Sequence, residues 1–257
     1  MSEELEEGRM PLLDHLIELR RRLMISFAGL IVAFVVCYYF GQELLDFLMR
    51  PLLDQQPDLK LQYTHLAEAF ITRIKVSFWA ACFVSFPVIA SQIWMFVAPG
   101  LYKNERSAFL PYLVATPVLF VMGGALTYYV IFPAAFHFFL SFQQVGNADE
   151  LAIVSVPKLD EYLSLTLTMI FAFGLAFQMP VAFTLMARVG LVSSKFLAAQ
   201  RRYAIVLNFC AAAIVTPPDA ISMCGLAIPL CLLYEISIWS CRWVERKRDQ
   251  QAATPSV

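Results

Sequence analysis

The chain has 257 residues, 60% of them hydrophobic and only 15% charged, with a formal net charge of -1. A soluble domain of this size carries about a quarter of its residues as charges, so a polytopic membrane protein is indicated and a water-soluble enzyme is excluded. The net charge says little, because the information lies in where the charges fall, and no nucleic-acid partner is expected.

Residues 1–22 are polar to amphipathic. Glu3, Glu4, Glu6 and Glu7 read as a solvated acidic head, and Pro11 opens the stretch PLLDHLIELRRR. Leu12, Leu16 and Leu19 recur there at helical spacing, which predicts a helix lying along the membrane surface before the chain turns inward. Residues 23–40 are apolar, uncharged and long enough to span. They resemble a signal-peptide core, but five more apolar segments follow, so they read as a retained first span.

Residues 41–73 read as a polar loop broken by Pro51 and Pro57, with a short amphipathic piece at 43–49. Spans two and three are expected near 74–98 and 108–132, followed by a loop at 136–161. The fourth span is expected near 162–187, then a basic connection at 188–202. Two short spans, 203–215 and 220–234, close the series around Thr216-Pro217-Pro218-Asp219. At 1.5 Å per residue each falls short of a ~30 Å hydrocarbon core, so they thin the bilayer or lean on flanking residues. The expected architecture is all-α. It has one membrane domain, 1–242, with six transmembrane helices, the last two short, and a cytoplasmic tail, 243–257.

Lys and Arg orient the spans. The side carrying both termini holds Arg9, Arg20, Arg21, Arg22, Lys103, Arg106, Arg188, Lys195, Arg201, Arg202, Arg242, Arg246, Lys247 and Arg248. The opposite side holds Arg50, Lys60, Arg73, Lys75 and Lys158. Both termini are therefore expected in the cytoplasm. Tyr38, Tyr39, Tyr102, Tyr128, Tyr129, Tyr162, Tyr203, Trp239 and Trp243 fall near span ends, as interfacial aromatics do. Pro87, Pro111, Pro117, Pro133, Pro180 and Pro229 fall in or beside spans, where each removes a backbone donor. They are open to two accounts: ordinary kinks, or a fixed curved wall.

The chain lacks the residues of several chemistries. No charge sits in the middle of a long span, which argues against an ion-coupled transporter or a proton pump. No paired Asp, Ser with a base, or HExxH lies on a span, and His137 has no acidic neighbour in its segment. No glycine-rich phosphate loop precedes a helix. The six cysteines, Cys37, Cys82, Cys210, Cys224, Cys231 and Cys241, form no CxxC pair, and with three histidines no metal spacing arises. No catalytic residue, cofactor or metal is expected. Two carboxylates do stand out among cations, Glu18 and Glu105. The plain account pairs Glu18 with Arg21 or Arg22, and Glu105 with Lys103 or Arg106, for a few tenths of a kcal/mol each. The alternative account is that they receive a cationic ligand, for which an arginine fork is the best match.

Three separated stretches decide between these accounts. HLIELR at 15–20, FVAPGLYKNER at 96–106 and TPPD at 216–219 resemble the TatC family, the polytopic core of the bacterial twin-arginine protein translocase. The resemblance runs from about Pro11 to Arg242 with the same six-span layout. It implies a multi-pass protein of the bacterial inner membrane that recognises twin-arginine signal peptides. With the single-span subunits TatA and TatB it would export folded proteins, driven by the proton-motive force, in an oligomeric assembly and without enzymatic activity. It implies signal-peptide recognition for Glu18, Phe96 and Glu105, and marks Pro51, Pro87 and Asp219 as family positions. Pro51 and Pro87 suit structural roles, and Asp219 suits a cap on the last span. The fourth span departs from many relatives: Gln178, in FGLAFQMPV, stands where they carry a glutamate. The remaining alternative is a secondary transporter for a small solute, which a buried charged site or an internal repeat would favour.

Overall fold

The computed structural model describes residues 12–55, 67–97, 110–140, 158–216 and 220–253. Among the described residues ten α-helices follow one another: α1 Leu12–Tyr39, α2 Gly41–Leu53, α3 Glu68–Val97, α4 Leu110–Leu126 and α5 Phe132–Leu140 come first. They are followed by α6 Leu159–Ala176, α7 Met179–Arg188, α8 Ser194–Ala199, α9 Arg201–Val215 and α10 Ala220–Ala253. Among the described residues five helical stretches are long and apolar enough to cross a membrane: His15–Tyr39, Glu68–Phe96, Tyr112–Phe138, Leu159–Arg188 and Met223–Lys247. Many of their large apolar side chains face outward, among them Leu23, Phe27, Val32 and Val35 of α1. Water would not tolerate so broad an apolar surface, but lipid does.

α1 is a single helix. The amphipathic stretch and the first span run on continuously, and the expected turn between them is absent. Nothing between Leu12 and Leu23 breaks the i to i−4 ladder, since the stretch holds neither Gly nor Pro. α1 lies antiparallel on α3, and the contacts run in register. His15 meets Phe96, Arg22 meets Gln92, and the Ser77 hydroxyl reaches the Cys37 carbonyl. Between them, a Cβ on Gly29 would lie 3.3 Å from Val88 Cγ1.

α2 occupies the expected amphipathic piece and extends it in both directions, with Pro51 inside the helix. Tyr128 and Tyr162 pin it: their hydroxyls donate to the Phe47 and Leu48 carbonyls at 2.6 and 2.8 Å. A helical carbonyl has a second lone pair free for such a bond. At the α1–α2 corner, Arg73 donates to the Tyr38 carbonyl at 3.3 Å and lies over the Tyr38 ring. Gly41 allows this approach, since a Cβ there would come within 2.9 Å of Arg73 Nε.

Two of the long segments are interrupted beside prolines. Between α4 and α5 the chain widens into a π-helical turn, Thr127–Ile131, just ahead of Pro133. The proline ring lacks the donor for the carbonyl four residues back and crowds that carbonyl, and a wider turn accommodates both defects. The fourth segment, expected as one helix, breaks at Phe177 and Gln178, and Pro180 stands in the first turn of α7. Gly190, at φ 81°, closes α7, with its amide donating to the Ala187 carbonyl and that of Leu191 to Met186. This is the left-handed residue a helix end calls for.

The last helix overturns the expectation of two short final spans. α9 has 15 residues, roughly 22 Å long, but α10 has 34, roughly 51 Å. Glu235 ends the unbroken apolar run, yet the helix continues past it through Arg242. Leu226, Leu230, Leu233, Ile238, Cys241 and Val244 keep a buried stripe at helical spacing, partly against α7 and α8. Arg201 of α9 meets the Glu235 carboxylate at 2.8 Å. The Glu245 carboxylate accepts from the Ser194 amide at 2.7 Å and from its hydroxyl.

α4 and α6 approach to backbone contact: a Cβ on Gly123 would lie 2.6 Å from the Phe173 carbonyl oxygen. Gly123→Ala is therefore expected to cost about 1–3 kcal/mol through forced backbone displacement. Gly225→Ala, whose Cβ would meet nothing within 4 Å, should leave stability unchanged or slightly higher. Thermal unfolding in detergent checks both. Equal midpoints for Gly123→Ala and wild type would contradict the close packing.

Candidate functional site

The N-terminal turns of α1 present His15, Glu18 and Arg22 at spacings of three and four, and hence on one face. The last turns of α3 present Gln92, Met95 and Phe96 in the same way. The antiparallel register brings the two faces together. Glu18 Oε1 accepts from Arg22 Nη2 at 3.0 Å and from Nε at 3.4 Å. Arg22 Nη1 crosses to α3, with Gln92 Oε1 and the Met95 sulfur each at 3.3 Å. Phe96 stacks on His15 with ring centroids 4.3 Å apart and planes 22° apart. The Glu18 and Arg22 side chains are 19% and 26% exposed, so the pair is shielded but within reach of solvent.

A second polar group lies nearby, where α3, α4 and α7 meet. Trp94 Nε1 donates to the Thr116 hydroxyl at 3.1 Å, and that hydroxyl donates to the Tyr112 carbonyl at 2.8 Å. The Gln178 amide donates to the Thr116 carbonyl at 3.1 Å and to the Gly174 carbonyl at 3.4 Å. Gln178 also stands at the N-terminal boundary of α7, so its side chain ties the break in the fourth segment to α4. Its Oε1 is buried without a hydrogen-bond partner among the described residues.

The other singled-out positions fall elsewhere. Pro51 is buried inside α2, and Pro87 lies exposed within α3. Glu105 and Asp219 lie outside the described residues. The structure thus brings Glu18 and Phe96 into one cluster and sets Gln178 in a separate one. Helical spacing allows Arg22 as the partner of Glu18, but nothing in the sequence signals Gln92 or Met95, because their part depends on the register of α3. Among the described residues no three His, Cys, Asp or Glu side chains gather as a metal site.

The family model described as "Sec-independent protein translocase protein (TatC)" matches residues 14–229, most of the chain. The chain belongs to the TatC family. A TatC of Magnetococcus marinus is 51% identical over 248 residues, covering 96% of this chain and 89% of that relative. The TatC of Escherichia coli strain K12 is 37% identical over 247 residues, covering 95% and 93%. A crystal structure of the twin-arginine translocase receptor TatC superposes with a TM-score of 0.78 at 34% identity, covering 90% of this chain and 99% of that one. A second, determined in the detergent DDM, gives 0.79 at 35%, covering 88% and 98%. TatC membership makes this chain a polytopic protein of the bacterial inner membrane and a component of Sec-independent protein translocation. It belongs to a translocase family and not to a family of catalysts, and protein translocation replaces the small-solute alternative.

Replacing Gln178 by Leu removes the tie to Thr116. The expected loss is about 0.6–2 kcal/mol, the worth of an interhelical hydrogen bond in a membrane. A lower unfolding midpoint in detergent is the check. A curve superimposable on wild type would mean that Gln178 contributes packing alone.

Proposed function

We propose that this TatC-family chain is the signal-peptide receptor and scaffold of a twin-arginine translocase. With TatA and TatB it exports folded proteins across the inner membrane at the expense of the proton-motive force. The observation that carries the reading is that Glu18, paired with Arg22, and Phe96, stacked on His15, share one end of the α1–α3 seam. Glu18 and Phe96 are distant in sequence, both belong to the motifs of the resemblance, and the antiparallel register of α1 on α3 sets them at the same end of the pair. A carboxylate and an aromatic ring within one site suit a guanidinium, which forks onto a carboxylate and stacks on a ring. Glu105, nine residues beyond Phe96, supplies the second carboxylate for the second arginine in this reading.

Six crossings complete the topology. The five long apolar stretches are joined by α9, which spans a locally thinned bilayer. Both termini then lie in the cytoplasm, with the cation-rich ends of the spans. Residues 1–242 act as one membrane domain, and 243–257 form the cytoplasmic end of α10 and the tail beyond. Pro51 and Pro87 serve structure, and Asp219 caps α10. The short α9 offers a surface for a single-span partner, since Ile205, Val206, Leu207 and Ile214 face outward. Oligomeric assembly follows from that role.

Glu18→Gln and Glu105→Gln are each expected to reduce crosslinking of twin-arginine signal peptides severalfold while membrane insertion stays normal. The double variant should lose more. Photocrosslinking to peptides carrying RR or KK is the measurement, and undiminished crosslinking in both single variants and the double variant would refute the assignment. For the partner surface, four leucines inserted into α9 add about one helical turn. Co-purification with TatA or TatB should then fall before insertion does. Full recovery of both partners with the lengthened chain would count against α9.

A further inference from the structure

Arg22 already occupies the carboxylate assigned to the incoming ligand. Both of its bonds converge on Glu18 Oε1, and Oε2 takes no hydrogen bond among the described residues. An ordinary helical ion pair needs only a neighbour on its own helix. This guanidinium is also tied across to Gln92 and Met95 on α3, beside the His15–Phe96 stack. Arg20 and Arg21, next to it in sequence, are exposed and make no such contact.

We propose that Arg22 is a built-in competitor for Glu18, displaced when a signal-peptide arginine binds, and that this competition sets the discrimination between arginine and lysine. The inference rests on the assignment of Glu18 to the signal-peptide site.

The exchange is one cation for another at the same carboxylate. The ligand first engages the open Oε2, then takes over Oε1 as Arg22 swings away. Gln92 and Met95 keep a hold on the departing guanidinium, so it need not move far. Without Arg22, Glu18 is an exposed carboxylate that any cation can approach. With Arg22 in place, a ligand gains only if its own contacts exceed those it breaks. An arginine replaces the two-point contact on Oε1 with a fork across both oxygens. A lysine ammonium is a compact, strongly hydrated point charge and recovers less than is lost. Specificity thus comes from a repulsive element as much as from an attractive one.

The test measures binding of synthetic signal peptides, bearing RR or KK, to the full chain in nanodiscs. Arg22→Gln is expected to bind the RR peptide about three- to tenfold more tightly, where tenfold corresponds to about 1.4 kcal/mol. The KK peptide should gain more, so that the RR-to-KK affinity ratio falls. Arg22→Lys keeps the charge without the fork and should lie between Arg22→Gln and wild type. Gln92→Leu loosens Arg22 without altering α1 and should shift the ratio in the same direction, by less. A purely structural Arg22 would lower affinity for both peptides equally. Weaker RR binding in Arg22→Gln, or an unchanged ratio in both Arg22→Gln and Gln92→Leu, would overturn the proposal. Glu18→Gln separates the two levels. If it loses RR binding while Arg22→Gln leaves the ratio unchanged, the site stands and the competitor falls. Wild-type binding by Glu18→Gln would overturn both.

Discussion

The antiparallel register of α1 on α3 is the constraint on which the candidate site depends. His15 on Phe96, Arg22 on Gln92, Gly29 beside Val88 and Ser77 against Cys37 are successive points along one seam. A slip of one residue would rotate each of these side chains by about 100° around its helix and dissolve the cluster. Small residues keep the seam close, with Ala33, Cys37 and Ala81 forming a compact apolar group at its far end. In hydrocarbon such close packing supplies much of the association between helices, because apolar side chains gain little by leaving lipid.

The same solvent explains how the fold treats its interruptions. A backbone polar group exposed to lipid costs several kcal/mol, so each proline-associated break is met by a local repair. Pro133 is preceded by a π-helical turn, and its own carbonyl accepts from Gln55 at 3.0 Å. Pro180 follows a break at which the Phe177 and Gln178 amides still find carbonyls at 2.9 Å. The Gln178 side chain then joins this break to α4. Pro133 and Pro180 thus stand where a segment divides and a side chain crosses to a neighbouring helix, whereas Pro87, Pro117 and Pro229 lie inside continuous helices.

At the other side of the bundle, charge pairing and amphipathicity extend α10 well beyond the apolar core. Arg201–Glu235 and the Glu245 carboxylate on Ser194 tie α8 and α9 to this helix. Tyr234 adds a hydroxyl bond to the Leu197 carbonyl at 2.8 Å. These polar contacts lie where the Lys and Arg residues gather, so they brace the end of the molecule opposite α2.

Much of this was legible in the sequence because bilayer solvent imposes one-dimensional rules. Apolar run length marked the existence and order of the first four membrane segments, though their ends lay up to eight residues away where polar residues continue a helix, and the charge distribution proposed an orientation. Three motifs pointed to the family that the comparisons then established. The continuity of α1 and α10 was harder to read, since a polar residue ends an apolar run without ending a helix. Tyr128 and Tyr162 looked like interfacial aromatics, yet their hydroxyls hold α2. The sequence by itself determined what must be buried in lipid and which carboxylates stood among cations, because both follow from composition and local spacing. Only the tertiary structure decided that Arg22 reaches Gln92, that Phe96 stacks on His15 and that Gln178 bonds to Thr116. Those contacts depend on the register and depth of helices that are distant along the chain, and interhelical packing, which local periodicity does not encode, sets both.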